Sequence, residues 1–119
     1  MIVGIGIDII EIERIAKAYQ RWGDGFLRKI YTEEEITYCL SQHDPAPSLA
    51  ARFAAKEAAF KALSQAGVVV RSWQEIIVLK SETGLPQLSS RVTHDLILHL
   101  SLTHSNSSAA ALVVAERPT

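Results

Sequence analysis

The sequence predicts an α+β domain in which an antiparallel sheet packs against helices. Three features predict it: an alternating strand at the start, an alanine-rich helix in the middle, and two apolar strands joined by a short polar turn at the end. The 119 residues can bury one core but are too few for two. We therefore expect residues 1–119 to form a single domain.

Composition and charge exclude several classes of protein. Apolar residues make up 48% of the chain and the formal net charge is −1. The apolar fraction is typical of a folded protein and not of a disordered one. The near-neutral total gives no general attraction to nucleic acid or to an anionic membrane, so we expect neither as a partner.

The start of the chain and its one cysteine indicate a cytoplasmic location. The segment MIVGIGIDII lacks a basic region and contains Asp8, so it is a poor signal peptide and too short to span a bilayer. The single cysteine, Cys39, cannot form an intramolecular disulfide, and it lies among apolar residues at helical spacing.

The first strand is predicted at IVGIGID, residues 2–8. Ile5 and Ile7 point to one side, whereas Gly4, Gly6 and Asp8 point to the other. A strand face that carries glycines leaves room for another backbone. Some other element should approach it closely.

Helices are predicted over residues 11–21, from Thr32 and from about Ser48 to Leu63. Glu35, three residues after Thr32, completes a capping-box pattern. Further strands are expected at EIIVLKS, QLSS, LHLSLTH and AAALVVAE, with SNSS joining the last two and a helix beginning near Ser90.

The middle helix is apolar on nearly all sides, so its charges need an explanation. Glu57 and Lys61 are four residues apart, and a simple ion pair on the helix would account for them. In an interior helix, however, burying both charges is costly unless a metal or a phosphate joins them. The spacing leaves both interpretations open.

Asp8 also has two interpretations. With Glu11 it forms an Asp-x-x-Glu pattern that could cap the following helix. Alternatively, a carboxylate on the glycine face could join Glu57 in binding Mg²⁺, with water and a substrate phosphate as the other ligands. Lys61 beside them would suit a diphosphate.

Other polar residues carry weaker signals. His104 ends a strand and could be structural or could bind phosphate together with its Thr and Ser neighbours, while His43, His94 and His99 lack zinc-ligand spacing. A further set forms a basic line on the first helix, opposite its apolar stripe, which is either a solvated face or a docking edge for an acidic partner: Arg14, Lys17 and Arg21.

Two segments, GIGIDIIEIERI at 4–15 and RFAAKEAAFKAL at 52–63, closely resemble the signatures of holo-acyl-carrier-protein synthases, the small bacterial 4′-phosphopantetheinyl transferases. The likeness continues through TGLP at 83–86 and LSLTHS at 100–105. It implies a trimer with active sites between subunits, and transfer of phosphopantetheine from coenzyme A to a serine of the acyl carrier protein, releasing 3′,5′-ADP.

The resemblance also implies roles for individual residues. Asp8 and Glu57 match the Mg²⁺ ligands and Lys61 matches a phosphate contact, while Arg52 and His104 match coenzyme-contacting residues, with His104 supplied by the adjacent subunit. Arg14 and Arg21 match positions that bind the carrier protein, and Lys17 lies between them. For the base that deprotonates the serine, Glu57 and a metal-held water are both candidates.

The chain departs from the family pattern in two places, and two rival functions stay open. SQAG at 64–67 replaces the common GTG turn, and SNSSAAA lacks a tyrosine common before the last strand. One rival is a Mg²⁺-dependent hydrolase of diphosphate compounds that uses the same three residues. The other is a non-catalytic carrier-binding or oligomerisation module, in which Glu57 pairs with Lys61 and Asp8 caps a helix.

Overall fold

Ten elements make up the fold, and the computed structural model describes all residues 1–119. The helices are α1 (Ile12–Trp22), α2 (Asp24–Ile30), α3 (Glu33–Leu40) and α4 (Pro45–Gln65), and one 3₁₀ turn spans Trp73–Glu75. The strands are β1 (Ile2–Glu11), β2 (Ile76–Lys80), β3 (Pro86–Ser90), β4 (Ile97–His104) and β5 (Ser108–Glu116). The predicted α+β class is confirmed.

The strands pair antiparallel in two separate sheets. Strand order in the larger sheet is β1-β5-β4, and β2 pairs with β3 in a two-stranded ribbon. In the larger sheet Asp8 pairs with Ala111, and His104 pairs with Ala109. The four predicted later strands are all present, and the turn SNSS joins β4 to β5 as expected.

Helix α4 packs on the glycine face of β1, which is the close approach that the sequence predicts. A Cβ atom added at Gly6 would lie 1.8 Å from the carbonyl oxygen of Ala58, and one at Gly4 would lie 1.9 Å from that of Ala62. These contacts require glycine, because any side chain would overlap the helix backbone. Asp8 lies on the same face of β1, two residues after Gly6, and its carboxylate lies beside α4 near Lys61.

The core is centred on α4. Twenty-four buried apolar residues form one cluster, to which α4 contributes its alanines together with Leu49 and Leu63. The helix is not interior along its whole length: Phe60 is 45% exposed, and Lys61 and Gln65 beside it are also exposed. The C-terminal part of α4 therefore reaches the surface next to β1.

One helix starts earlier than predicted, and one helix was not expected. Helix α4 begins at Pro45 rather than near Ser48, because Asp44 caps it and prolines need no hydrogen-bond acceptor in the first turn. Helix α2 was not predicted. Helix α3 starts after Thr32 with the expected capping box to Glu35.

No helix forms at Ser90, so that prediction was wrong. The Ser90 hydroxyl accepts a hydrogen bond from the backbone N–H of Val92, and the Thr93 hydroxyl bonds to Asp95. Such local side-chain bonds satisfy the backbone in bends and compete with helix formation. The chain then enters β4 at Ile97.

Candidate active site

Three of the candidate residues lie together where α4 meets β1, and we name this group, Asp8, Glu57 and Lys61, the acidic corner. The Lys61 ammonium donates to the carbonyl oxygen of Ile7 at 2.9 Å and lies 3.4 Å from a carboxylate oxygen of Asp8. The Lys61 side chain is half exposed, so it can also reach a ligand.

Glu57 is coupled to the same corner by charge. Partial burial raises the pKa of its carboxyl above the usual value, the negative charge of Asp8 raises it further, and Lys61 opposes the shift. A carboxylate whose pKa is raised by a neighbouring negative charge belongs to a site that favours a cation. The acidic corner therefore fits a divalent metal.

The corner does not hold a complete set of protein ligands. No three His, Cys, Asp or Glu side chains cluster closely enough to bind a metal. Mg²⁺ commonly takes only one or two carboxylates and completes its octahedron with water and phosphate oxygens. The donor set at Asp8 and Glu57 fits that pattern.

The two structural explanations for these residues are not supported. Glu57 and Lys61 form no ion pair, because Lys61 turns toward β1 instead. Asp8 caps no helix: β1 continues to Glu11, which is the residue before α1 and makes no side-chain cap. The contacts on which a purely structural module would depend are thus missing.

The free edge of β1 is held by α4 side chains one helical turn apart. Gln65 accepts a hydrogen bond from the backbone N–H of Ile5 at 2.9 Å, and Lys61 donates to Ile7. Gln65 belongs to the SQAG segment that departs from the family pattern. In this chain that segment anchors the strand that carries Asp8.

A cavity of about 230 Å³ opens beside Glu57. Its apolar wall comes from Phe60, Val70, Trp73 and Ile76, and Arg71 and Ser72 also line it. A mainly apolar cavity next to the Glu57 carboxylate suits a ligand with a charged end and a less polar chain.

Arg52 and His104 lie in a second cavity, of about 320 Å³, that shares no lining residue with the first. Tyr38 and Lys80 also line it, and we name these four residues the cationic pocket. The Lys80 ammonium donates to the Tyr38 hydroxyl at 2.9 Å, and the Arg52 guanidinium lies 4.3 Å from the centre of the Tyr38 ring.

The cationic pocket is built for an anion. The hydrogen bond from Lys80 lowers the pKa of the Tyr38 hydroxyl. Arg52 is buried except for 8% of its surface, and its Nε has no hydrogen-bond partner. An unpaired, buried guanidinium nitrogen beside a lysine and a histidine favours a phosphate.

Sequence reasoning identified Arg52 through the resemblance alone and His104 both as a candidate phosphate ligand and through the resemblance, and it missed Tyr38 and Lys80. Lys80 lies on β2 and Tyr38 on α3, so no spacing along the chain connects them. Their contact depends on how α3 and β2 pack together.

The basic line on α1 is exposed, as predicted. Lys17 forms an ion pair with Glu13 at 3.3 Å, whereas the Arg21 guanidinium lies 4.9 Å from the centre of the Trp22 ring. Trp22 is 63% exposed, so it does not belong to the core. An exposed aromatic ring beside arginines is a common feature of protein-binding surfaces.

Comparisons with known proteins identify the family of this chain. Residues 4–115 match the model of the 4′-phosphopantetheinyl transferase superfamily. The chain belongs to this superfamily. A holo-[acyl-carrier-protein] synthase from Chlamydia trachomatis is 46% identical to it, over 95% of this chain and 98% of the relative, and one from Chlorobaculum tepidum is 43% identical, over 94% and 97%.

Solved structures of relatives share the fold. A holo-(acyl-carrier-protein) synthase from Bacillus anthracis, in complex with coenzyme A (3′,5′-ADP), is 38% identical, with a TM-score of 0.85 and 99% of each chain covered. The Helicobacter pylori synthase in complex with coenzyme A is 33% identical, with a TM-score of 0.81, over 94% of this chain and 99% of that one.

Proposed function

We propose that this chain is a Mg²⁺-dependent holo-[acyl-carrier-protein] synthase, in which residues 1–119 act as one domain. It transfers the 4′-phosphopantetheine group of coenzyme A to a serine hydroxyl of an apo-acyl carrier protein and releases 3′,5′-ADP. The observation that carries the proposal is the acidic corner, where two carboxylates and a lysine lie together and Glu57 lines an open cavity. Relatives at up to 46% identity over nearly the whole chain are holo-[acyl-carrier-protein] synthases.

In this proposal the acidic corner binds the diphosphate of coenzyme A. Asp8 and Glu57 would hold Mg²⁺, and Lys61 would contact a phosphate oxygen. When bound, the metal offsets the negative charge that the diphosphate gains in the transition state. The backbone bonds of Lys61 and Gln65 to β1 keep the corner in a fixed geometry before substrate binds, as electrostatic preorganisation requires.

The rest of coenzyme A is assigned by the chemistry of the two cavities. The less polar pantetheine arm would lie in the cavity lined by Phe60, Val70 and Trp73, which begins at Glu57. The phosphate at the far end of the nucleotide would bind Arg52, Lys80 and His104 of the cationic pocket.

The placement of these sites around α4 supports an active site shared between subunits. Arg52 and Lys61 are nine residues apart on α4. At about 100° per residue, nine residues make about two and a half turns, so the two side chains differ in direction by about half a turn. They therefore project from opposite sides of α4 and are separated by about 13 Å along its axis. One coenzyme A would reach the acidic corner of one subunit and the cationic pocket of its neighbour.

An apolar sheet face supports the association of such subunits. On the side of β1 away from α4, Ile5, Ile7 and Ile9 are 50%, 66% and 71% exposed, and Leu112 of β5, the partner of Ile7, is 41% exposed. A contiguous apolar face of this kind is typical of a subunit interface. The homotrimer itself is part of the proposal and follows the family resemblance.

The carrier protein would dock on the basic line of α1, where Arg14 and Arg21 face solvent and Lys17 lies between them. Cationic side chains on one helix face complement an acidic partner and orient its approach. No helix is both long and apolar enough to cross a membrane. We place the reaction in the cytoplasm, where the buried free thiol of Cys39 would stay reduced.

The intact mass of an apo-acyl carrier protein tests the proposal. Incubation with coenzyme A, Mg²⁺ and this protein should add one phosphopantetheinyl group, and Asp8→Ala should remove the gain. Asp24→Ala is the matched control, since Asp24 is exposed on α2, outside the acidic corner.

The same assay separates the rival functions. No mass gain on several apo-carriers, with 3′,5′-ADP released from coenzyme A alone, would indicate a hydrolase. If neither holo-carrier protein nor 3′,5′-ADP is formed, the protein has no catalytic role of either kind.

A further inference from the structure

A buried ion pair lies next to the acidic corner but takes no part in it. The Lys56 ammonium is 2.8 Å from a carboxylate oxygen of Glu35, and neither side chain is exposed. Lys56 also donates to the carbonyl oxygens of Trp73 at 3.1 Å and Ile76 at 2.6 Å. An ammonium has three protons, so the donors of Lys56 are fully used.

Glu35 is equally saturated. One carboxylate oxygen accepts from the backbone N–H of Thr32 at 2.8 Å, and the other accepts from that of Val78 at 2.7 Å. The pair therefore joins three parts of the fold: the start of α3, the middle of α4 and the segment 73–78.

Stability alone does not explain such a pair. Both charges are fully buried, so each loses its hydration, and their mutual attraction must offset that cost. Well-packed apolar residues of similar volume often stabilise a core as well as a buried ion pair does, or better. What an apolar pair lacks is directional bonding to specific backbone groups.

The bonded backbone groups belong to the wall of the cavity beside Glu57. Trp73 and Ile76 line that cavity, and so does Lys56 itself. The Trp73 ring stacks on Phe53 of α4 with centroids 5.1 Å apart, which adds a second contact between the wall and the helix. The position of the wall relative to Glu57 thus depends on the bonds made by Lys56.

We propose that Glu35 and Lys56 are a positioning pair that fixes the wall of the cavity for the pantetheine arm. This inference rests on the proposed function, since it takes coenzyme A as the ligand. The pair touches no reacting atom. Its effect is confined to the part of the ligand that lies against residues 73–76.

Binding of two ligands separates this role from a general structural one. Coenzyme A carries the arm, whereas 3′,5′-ADP lacks it. By calorimetry on the full-length protein with Mg²⁺, Lys56→Met should weaken coenzyme A binding about tenfold, or about 1.4 kcal/mol. Binding of 3′,5′-ADP should stay within about twofold, because the groups that bind it do not move.

Two further variants keep the test decisive. Glu35→Gln preserves the shape of the side chain, and it should weaken coenzyme A binding selectively by about threefold, because the amide nitrogen cannot accept from Val78. Lys29→Met is the matched control, since Lys29 is exposed on α2, and it should bind both ligands like the wild type.

Each outcome decides the question. Equal weakening of both ligands in Glu35→Gln would mean a general structural role, and unchanged binding of both would mean no role; either overturns the inference while leaving the proposed function intact. Failure of the wild-type protein to bind either ligand would instead contradict the proposed function itself.

Discussion

The acidic corner and the cationic pocket are opposite in charge and in the way they are built. The corner places two carboxylates and one lysine at the contact between β1 and α4, and backbone bonds hold it. The pocket gathers Arg52, Lys80 and His104 from α4, β2 and β4, with no carboxylate among its lining residues. One site suits a cation and the other an anion.

This difference indicates how a small protein can bind a large, highly charged ligand. The diphosphate needs a metal, and the metal needs carboxylates; the remaining phosphate is repelled by carboxylates and needs cations. Placing both sets on one side of one helix would let them neutralise each other. Because α4 separates them, each keeps its charge for the ligand.

Removing a carboxylate of the acidic corner should give the largest effect. Glu57→Gln is expected to lower kcat at least about a hundredfold, since a metal site contributes several kcal/mol to the transition state. The free energy of unfolding should not fall, because Glu57 is destabilised as a carboxylate. Parallel transfer kinetics and urea unfolding check both. Glu34→Gln, on exposed α3 surface, is the control, and a Glu57 variant with normal kcat would contradict the metal role.

Moving β1 away from α4 should break the acidic corner by a different route. Gly6→Ala places a Cβ atom 1.8 Å from the Ala58 carbonyl oxygen, so we expect a loss of about 3 kcal/mol in the free energy of unfolding. Gly25→Ala is the control, because no atom lies within 4 Å of its Cβ position. Alanine favours helix α2 more than glycine does, so the free energy of unfolding should rise by about 0.5–1 kcal/mol. Equal stability of the two variants would show that the contact is not tight.

Neutralising the cationic pocket should affect only ligands with the distal phosphate. Arg52→Met is expected to weaken coenzyme A binding about tenfold, the value of a charge-assisted hydrogen bond, but to change dephospho-coenzyme A binding little. Arg91→Met provides an exposed control on another surface. If both ligands lose affinity equally, the pocket does not bind the distal phosphate of coenzyme A.

Acidity should weaken the metal site at the acidic corner. The raised pKa of Glu57 means that its carboxylate is lost as the pH falls through a value above the ordinary one, and Mg²⁺ affinity should then drop up to about tenfold per pH unit. The stability of the metal-free protein changes with pH in the opposite direction. The folded chain binds the Glu57 proton more tightly than the unfolded chain, so the free energy of unfolding falls as the pH rises from the unfolded-state pKa of Glu57 to its folded-state pKa.

The Mg²⁺ concentration that half-saturates coenzyme A binding, measured between about pH 5 and 8, checks this shift. Glu57→Gln should remove the Glu57-dependent part of the profile. A profile that is identical in the variant would show that Glu57 does not titrate in the site.

The smallest effect is expected on α1, away from both sites. Replacing Arg14 and Arg21 by serine should raise the carrier KM about fivefold and reduce its salt dependence, with coenzyme A affinity unchanged. Lys17→Ser should do less, because Glu13 already shares its charge. An unchanged carrier KM in the double variant would exclude this surface as the docking site.

Much of the fold could be predicted from local pattern. The glycine face of β1, the capping box at Thr32 and the turn before β5 each depend on neighbours in sequence, and each is present. The helix expected near Ser90 was wrong because short polar side chains bond to the local backbone there. The split into two sheets depends on tertiary packing.

The candidate site was less accessible to sequence reasoning. Asp8, Glu57 and Lys61 lie together as spacing and resemblance suggested, but spacing alone also allowed a Glu57–Lys61 pair that the structure lacks. The Lys80–Tyr38 contact and the buried bonds of Lys56 join residues about twenty or more positions apart. Periodicity within one element carries no information about such contacts.

Subunit complementation tests the central claim, which is that the acidic corner of one subunit and the cationic pocket of its neighbour form one active site. Asp8→Ala and the double variant Arg52→Ala/His104→Ala should each be nearly inactive at coenzyme A concentrations well below KM. Co-expressed and purified through two different tags, mixed trimers should regain about a third of the wild-type sites, because a ring of three that contains both variants has one junction at which an intact corner faces an intact pocket. Activity no higher than the mean of the two variants would contradict a shared site.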